Sequence, residues 1–116
     1  MKLAISLMAV GAVVLCGCAT AEAPTQVADL GKRYNPVKAD MPPGQHEYLS
    51  GLRCADGKAP AFNRQGSVGM AHDGHVVDAY AVTCASGKSV VIHMDMYHAG
   101  YRENRPVEGF TLVSGD

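Results

Sequence analysis

Asp78, His93 and Asp95 are the residues of this chain whose types and spacing point most directly to chemistry. Two carboxylates beside an imidazole offer oxygen and nitrogen donors to a divalent cation such as Zn or Mn. His72, His75 and His98 stand near enough in sequence to add ligands from adjoining loops. Paired carboxylates can instead divide acid and base roles in glycoside cleavage, one with its pKa raised and the other ordinary. Nothing else prepares a sugar site, because the chain has no Trp and only 5 Tyr and 2 Phe. The plainest alternative is architectural: two opposed carboxylates repel unless neutralised, and Arg53, Arg64, Arg102 or Arg105 would then fix them within a sheet.

The element that must position these residues is a hairpin. Placing Ser86 and Gly87 in a two-residue turn sets Thr83 opposite Val90, Ala81 opposite Ile92, Ala79 opposite Met94 and Val77 opposite Met96. That face is almost wholly apolar. The other face then pairs Val82 with Val91, Tyr80 with His93, Asp78 with Asp95 and Val76 with Tyr97. A slip of one residue would carry Asp95 and His93 into the core, so the alternation favours this register.

The same turn signal occurs twice, as Cys-Ala-Asp-Gly-Lys at 54–58 and Cys-Ala-Ser-Gly-Lys at 84–88. Two hairpins are therefore predicted, the first joining residues 48–53 to 61–64. Residues 66–74 read as a loop with three glycines, and Phe110, Leu112 and Val113 as a short closing strand. No helix period stands out after residue 44. The predicted fold is mainly β, a small antiparallel sheet or barrel of about five strands.

Several functions are excluded or left without support. A net charge of -1 offers no basic excess, so a nucleic-acid partner is not expected. Gly66-Ser67-Val68-Gly69-Met70 lacks the Lys-Ser/Thr ending and following helix of a phosphate loop. No G-x-S-x-G or H-E-x-x-H motif occurs. The domain is thus read as non-enzymatic, with no catalytic residues and no cofactor other than a divalent metal.

The front of the chain gives the sharpest sequence signal. Lys2 precedes an apolar stretch at 3–15 interrupted only by Ser6 and Gly11. As a helix it would rise about 20 Å, short of a hydrocarbon core of about 30 Å, so it reads as a signal peptide. Leu15-Cys16-Gly17-Cys18 resembles the lipobox of bacterial lipoproteins, departing from the usual pattern at Cys16, where Ala or Ser is commoner. The resemblance covers the signal alone. It implies cleavage before Cys18, a diacylglyceryl group on the Cys18 thiol and a palmitate-type acyl chain on its amine. Such an anchor is effectively permanent, because stable attachment needs only two chains. Ala19 in place of Asp implies the outer membrane by the same resemblance.

The expected domains are a signal peptide at 1–17, the lipidated Cys18 with a flexible periplasmic tether at 18–44, and a β-rich domain at 45–116. The tether carries Pro24, Pro36, Pro42 and Pro43 without hydrophobic period. Its span of about 25–30 Å would keep the domain near the membrane. With Cys18 lipidated and Cys16 removed, Cys54 and Cys84 are left as an even pair in an oxidising compartment, and a disulfide between them is expected. No C-x-x-C motif argues for a catalytic thiol.

The expected function is that of an outer-membrane-anchored periplasmic lipoprotein that binds an envelope protein or a cell-wall component. An exposed sheet edge or the loop at 66–75 would supply the contact. One alternative is periplasmic metal binding through Asp78, His93 and Asp95. Another is an inhibitor or immunity lipoprotein, tight with one partner and inert to others.

Overall fold

A computed structural model of the chain describes residues 27–113, so the predicted signal and Cys18 lie outside the described residues. Three tight turns of one kind organise the fold. Cys54, Ala71 and Cys84 each donate their N–H to the carbonyl four residues on, at 2.9, 2.8 and 2.8 Å. Each also accepts the N–H of a glycine three residues on, at 2.8, 3.0 and 2.9 Å. Gly57, Gly74 and Gly87 take φ of 82°, 85° and 98°, the left-handed region that costs glycine nothing. The residue before each glycine completes the turn with its side chain: Asp56, Asp73 and Ser86 accept the N–H of Lys58, His75 and Lys88 at 2.8, 3.0 and 3.4 Å.

These turns hold three residues, not two, and that corrects the predicted register by one. Strand β4 (Val76–Thr83) pairs with β5 (Ser89–Asp95) so that Val82 meets Val90, Tyr80 meets Ile92 and Asp78 meets Met94. Paired residues in an antiparallel ladder share a face. Tyr80, Val82, Ile92 and Met94 therefore form the core face, each at most 1% exposed. Asp78 points with them, while Asp95 belongs to the opposite face. The predicted Asp78–Asp95 pairing does not exist.

The first hairpin is also replaced. Residues 48–51, expected as strand, belong to helix α1 (Met41–Gly51), which carries Pro42 and Pro43 in its first turn. Proline is tolerated there because those N–H groups have no partner within the helix. The helix buries Gln45, Tyr48 and Leu49, a spacing of three and four residues that defines one face. Beyond it, β2 (Leu52–Arg53) pairs with β7 (Thr111–Leu112) and not with the chain returning from its turn. That chain becomes β3 (Ala61–Met70), which pairs with β4. Residues 66–70, expected as loop, are thus strand, with register shifts at Gly66 and between Ser67 and Met70.

The main sheet has the order β3-β4-β5-β1-β6. Strand β1 (Val37–Asp40) runs parallel to β5 and antiparallel to β6 (Tyr97–Arg102). The chain leaves β5, bends at Met96 around the end of β1, and returns on its far side; the Met96 carbonyl accepts the Met41 N–H at 2.7 Å. The sheet is mixed and open, with β3 and β6 at its edges, and it does not close into a barrel. Residues 27–44 are part of this fold, since Leu30, Val37 and Ala39 are buried and Val27 bridges Val107. The tether expected to reach residue 44 therefore does not include residues 27–44.

The core joins Tyr48, Leu49 and Leu52 to the β4–β5 face, closed by Leu30, Val107 and Phe110. Cys54 and Cys84 form the expected disulfide, with Cα atoms 6.0 Å apart, and it staples two of the three turns to each other. No helix among the described residues is long and apolar enough to cross a membrane.

Candidate metal centre

Asp73 and His75 sit on the turn between β3 and β4; Asp95 and His98 flank the bend between β5 and β6. Fold topology brings the two pairs together. His75 Nδ1 lies 3.1 Å from Asp73 Oδ2 and 3.1 Å from Asp95 Oδ2. His98 Nε2 lies 3.1 Å from Asp73 Oδ2 and 2.8 Å from Asp95 Oδ2. All four donor atoms fall within 4.8 Å of one another. The Asp95 side chain is 1% exposed at the base of the cluster, whereas those of Asp73 and His75 are each 36% exposed at its mouth.

Each carboxylate is positioned by backbone. The Tyr97 N–H donates to Asp95 Oδ1 at 3.0 Å, and the His75 N–H donates to Asp73 Oδ1 at 3.0 Å. The His75 N–H is the main reason the Asp73 carboxyl is held below the usual carboxylate range; burial opposes it, and the Asp95 side chain and then the two imidazoles add to the lowering. The rings of Tyr97 and Tyr101 stand beside His75 and His98, with centroids 5.7 and 6.3 Å away.

Of the three residues predicted from sequence to form a metal site, only Asp95 is in this cluster. Asp78 lies in the core, where Gln45 Nε2 donates to its Oδ2 at 3.0 Å and Arg64 Nη2 to its Oδ1 at 2.8 Å. Tyr80 OH donates in turn to Gln45 Oε1 at 2.8 Å, so α1 is tied to β3 and β4 by a satisfied chain of hydrogen bonds. Arg64, one of the four arginines the sequence offered as a partner, pairs with Asp78 alone, since Asp95 lies on the other face. His93 Nδ1 lies 3.0 Å from the Gly31 carbonyl and braces the N-terminal turn. Arg53 donates to the carbonyls of Ser50 and Leu52, while Arg102 and Arg105 pair with Glu47 and Glu103.

Asp73 was missed by the sequence reading, and His75 and His98 entered it only as auxiliary ligands. The available signal was the repeated turn: Asp73 occupies the same position as Asp56 and Ser86 and is alone among them in having His, not Lys, two residues on. No family model, curated protein or solved structure matches this chain.

Proposed function

We propose that this chain is a lipid-anchored envelope protein whose β domain binds a divalent transition-metal ion through Asp73, His75, Asp95 and His98. The observation that carries the reading is the convergence of two imidazole nitrogens and two carboxylate oxygens from sequence-distant segments, one of the carboxylates fully buried. A buried carboxylate demands neutralisation, and an ion held by imidazoles and carboxylates supplies it. Four protein ligands complete the shell of a four-coordinate ion, leaving no position for substrate, so the domain holds metal and does not turn over a substrate. The lipobox-like Leu15-Cys16-Gly17-Cys18 supports attachment at Cys18 to the periplasmic side of the outer membrane.

The test is calorimetric titration with Zn(II) and Mn(II), read in parallel by two-dimensional amide NMR. One-to-one saturable binding, with shifts confined to Asp73, His75, Asp95, His98 and their neighbours, supports the proposal. A flat titration removes it. Metabolic labelling with palmitate, lost in Cys18→Ala, tests the anchor separately.

A second reading, contact with an envelope protein or cell-wall component, is favoured by one feature. Edge strand β3 has a sheet neighbour on one side only and exposes Val68 and Met70. Such an edge accepts an added strand from a partner. Val68→Lys with Met70→Lys would weaken sedimentation with isolated cell envelopes from which the native lipoprotein has been deleted, and unchanged sedimentation would remove this reading.

A further inference from the structure

We infer that the centre is tetrahedral and selects a Zn(II)-class ion over both the oxygen-seeking cations Ca(II) and Mg(II) and square-planar Cu(II). This rests on the proposed metal-binding reading and deepens it.

Denticity disfavours the oxygen-seeking cations. Asp73 and Asp95 each have Oδ1 engaged by a backbone N–H at 3.0 Å, which turns Oδ2 toward the two histidines and an ion between them. The carboxylates are thereby monodentate, and the donor set is two nitrogens and two oxygens. Ca(II) takes 6–8 oxygens, often from bidentate carboxylates, and Mg(II) demands about six in octahedral array; neither finds them here. Backbone groups that orient ligating carboxylates in this way tune the metal as well as the geometry.

The angle between the imidazoles disfavours a planar site. Each histidine nitrogen lies within 3.1 Å of both carboxylate oxygens, so in a planar arrangement the two nitrogens would have to be trans. Trans imidazoles on one ion with bonds near 2.0–2.1 Å would hold their ring centroids roughly 6.5 Å apart. The centroids of His75 and His98 are 5.0 Å apart, with planes at 70°. That separation corresponds to an angle of roughly 100° at the ion, near the tetrahedral value. The nitrogen–oxygen separations of 2.8–3.1 Å must widen by a few tenths to reach the roughly 3.3 Å edge of such a tetrahedron, whereas the roughly 2.9 Å cis edge of a planar site would need no expansion, so it is the angle between the imidazoles that selects the tetrahedron.

Co(II) reports this geometry, because tetrahedral Co(II) absorbs visible light far more strongly than octahedral Co(II). Protein produced from the full chain and purified in mild detergent is titrated with Co(II), then with Zn(II), in the presence and absence of excess Ca(II) and Mg(II). The expected result is intense visible absorption that saturates at one equivalent, is abolished stoichiometrically by Zn(II), and is unaffected by Ca(II) or Mg(II). His75→Ala, at a partly exposed position outside the hydrophobic core, would lose it; His93→Ala would keep it. Co(II) bound with weak, octahedral-type absorption, or displaced by Ca(II) or Mg(II), overturns the inference and leaves metal binding itself intact. A Cu(II) complex with the spectrum of a square-planar site and tighter binding than its place in the usual affinity order overturns it equally. No binding of any of these ions overturns both.

Discussion

Asp73 and Asp95 are held in the same way, each accepting at Oδ1 the N–H of the residue two positions further on and presenting Oδ2 to the same two histidines. One sits on a hairpin tip and the other at the end of a central strand, so an ion between them ties the β3–β4 tip to the β5–β6 bend. Binding to the folded state alone stabilises it by mass action. At free Zn(II) a hundredfold above its dissociation constant, the gain is about 2.7 kcal/mol. Thermal unfolding with and without Zn(II) should show this rise for the native chain and none for His98→Ala.

Asp78 predicts the opposite separation of effects. Asp78→Ala leaves Gln45 and Arg64 without their acceptor in or beside the core. The expected loss is about 2–3 kcal/mol of stability, carried mainly by the buried hydrogen bond from Gln45, with the half-exposed Arg64 and the longer bond from the Ser67 hydroxyl at 3.3 Å adding less. Urea unfolding would measure it. Metal affinity, measured on the folded variant, should be unchanged, and a matching loss of affinity would show that the two networks are coupled.

Cleavage of the Cys54–Cys84 bridge frees two of the three turns. Replacing both cysteines by serine is expected to lower stability by about 3.5 kcal/mol, from the entropy of an opened loop of about thirty residues. Guanidinium unfolding of the double variant provides the comparison, with Zn(II) binding retained because neither turn carries a ligand.

Acid should act through Glu103. Burial raises its pKa, but the Arg105 side chain at 2.7 Å, the Arg105 N–H at 3.1 Å and the Tyr101 hydroxyl at 3.1 Å more than reverse this and hold it below the ordinary 4.5. The unfolded chain therefore takes up the proton first. The contribution of Glu103 is complete above 4.5 and is lost as pH falls through the lower folded value. Urea midpoints measured above and below that pH should converge for native protein and Glu103→Gln as the medium becomes acid.

The mainly β fold and the disulfide were legible because alternation and cysteine number survive small errors of alignment. The Asp73–His75–Asp95–His98 cluster was not, and the reason is a single residue in a turn. Ser86-Gly87 as a two-residue turn and Ala85-Ser86-Gly87 as a three-residue turn with Gly87 at positive φ are both compatible with the local sequence. The choice between them moves Asp78 and Asp95 to opposite faces. Helix α1 was obscured by Pro42, Pro43 and Gly44, which read as breakers unless they fall in the first turn. Strand β1 is four residues long, and its pairing with β5 depends on contacts that no local pattern encodes.

That placement of β1 has a consequence for the order of assembly. The strand lies early in the described chain, yet both its neighbours, β5 and β6, are made near the end. Val37 waits for Met94, and Asp40 for Tyr97. The β3–β4–β5 meander can form from local contacts, but the sheet remains incomplete, and Asp95 lacks the His98 that follows the bend, until almost the whole chain is present. Contacts so distant in sequence slow folding. A polypeptide emerging N-terminus first from a narrow channel would keep Asp73, His75 and Asp95 without His98 until β6 had cleared the exit.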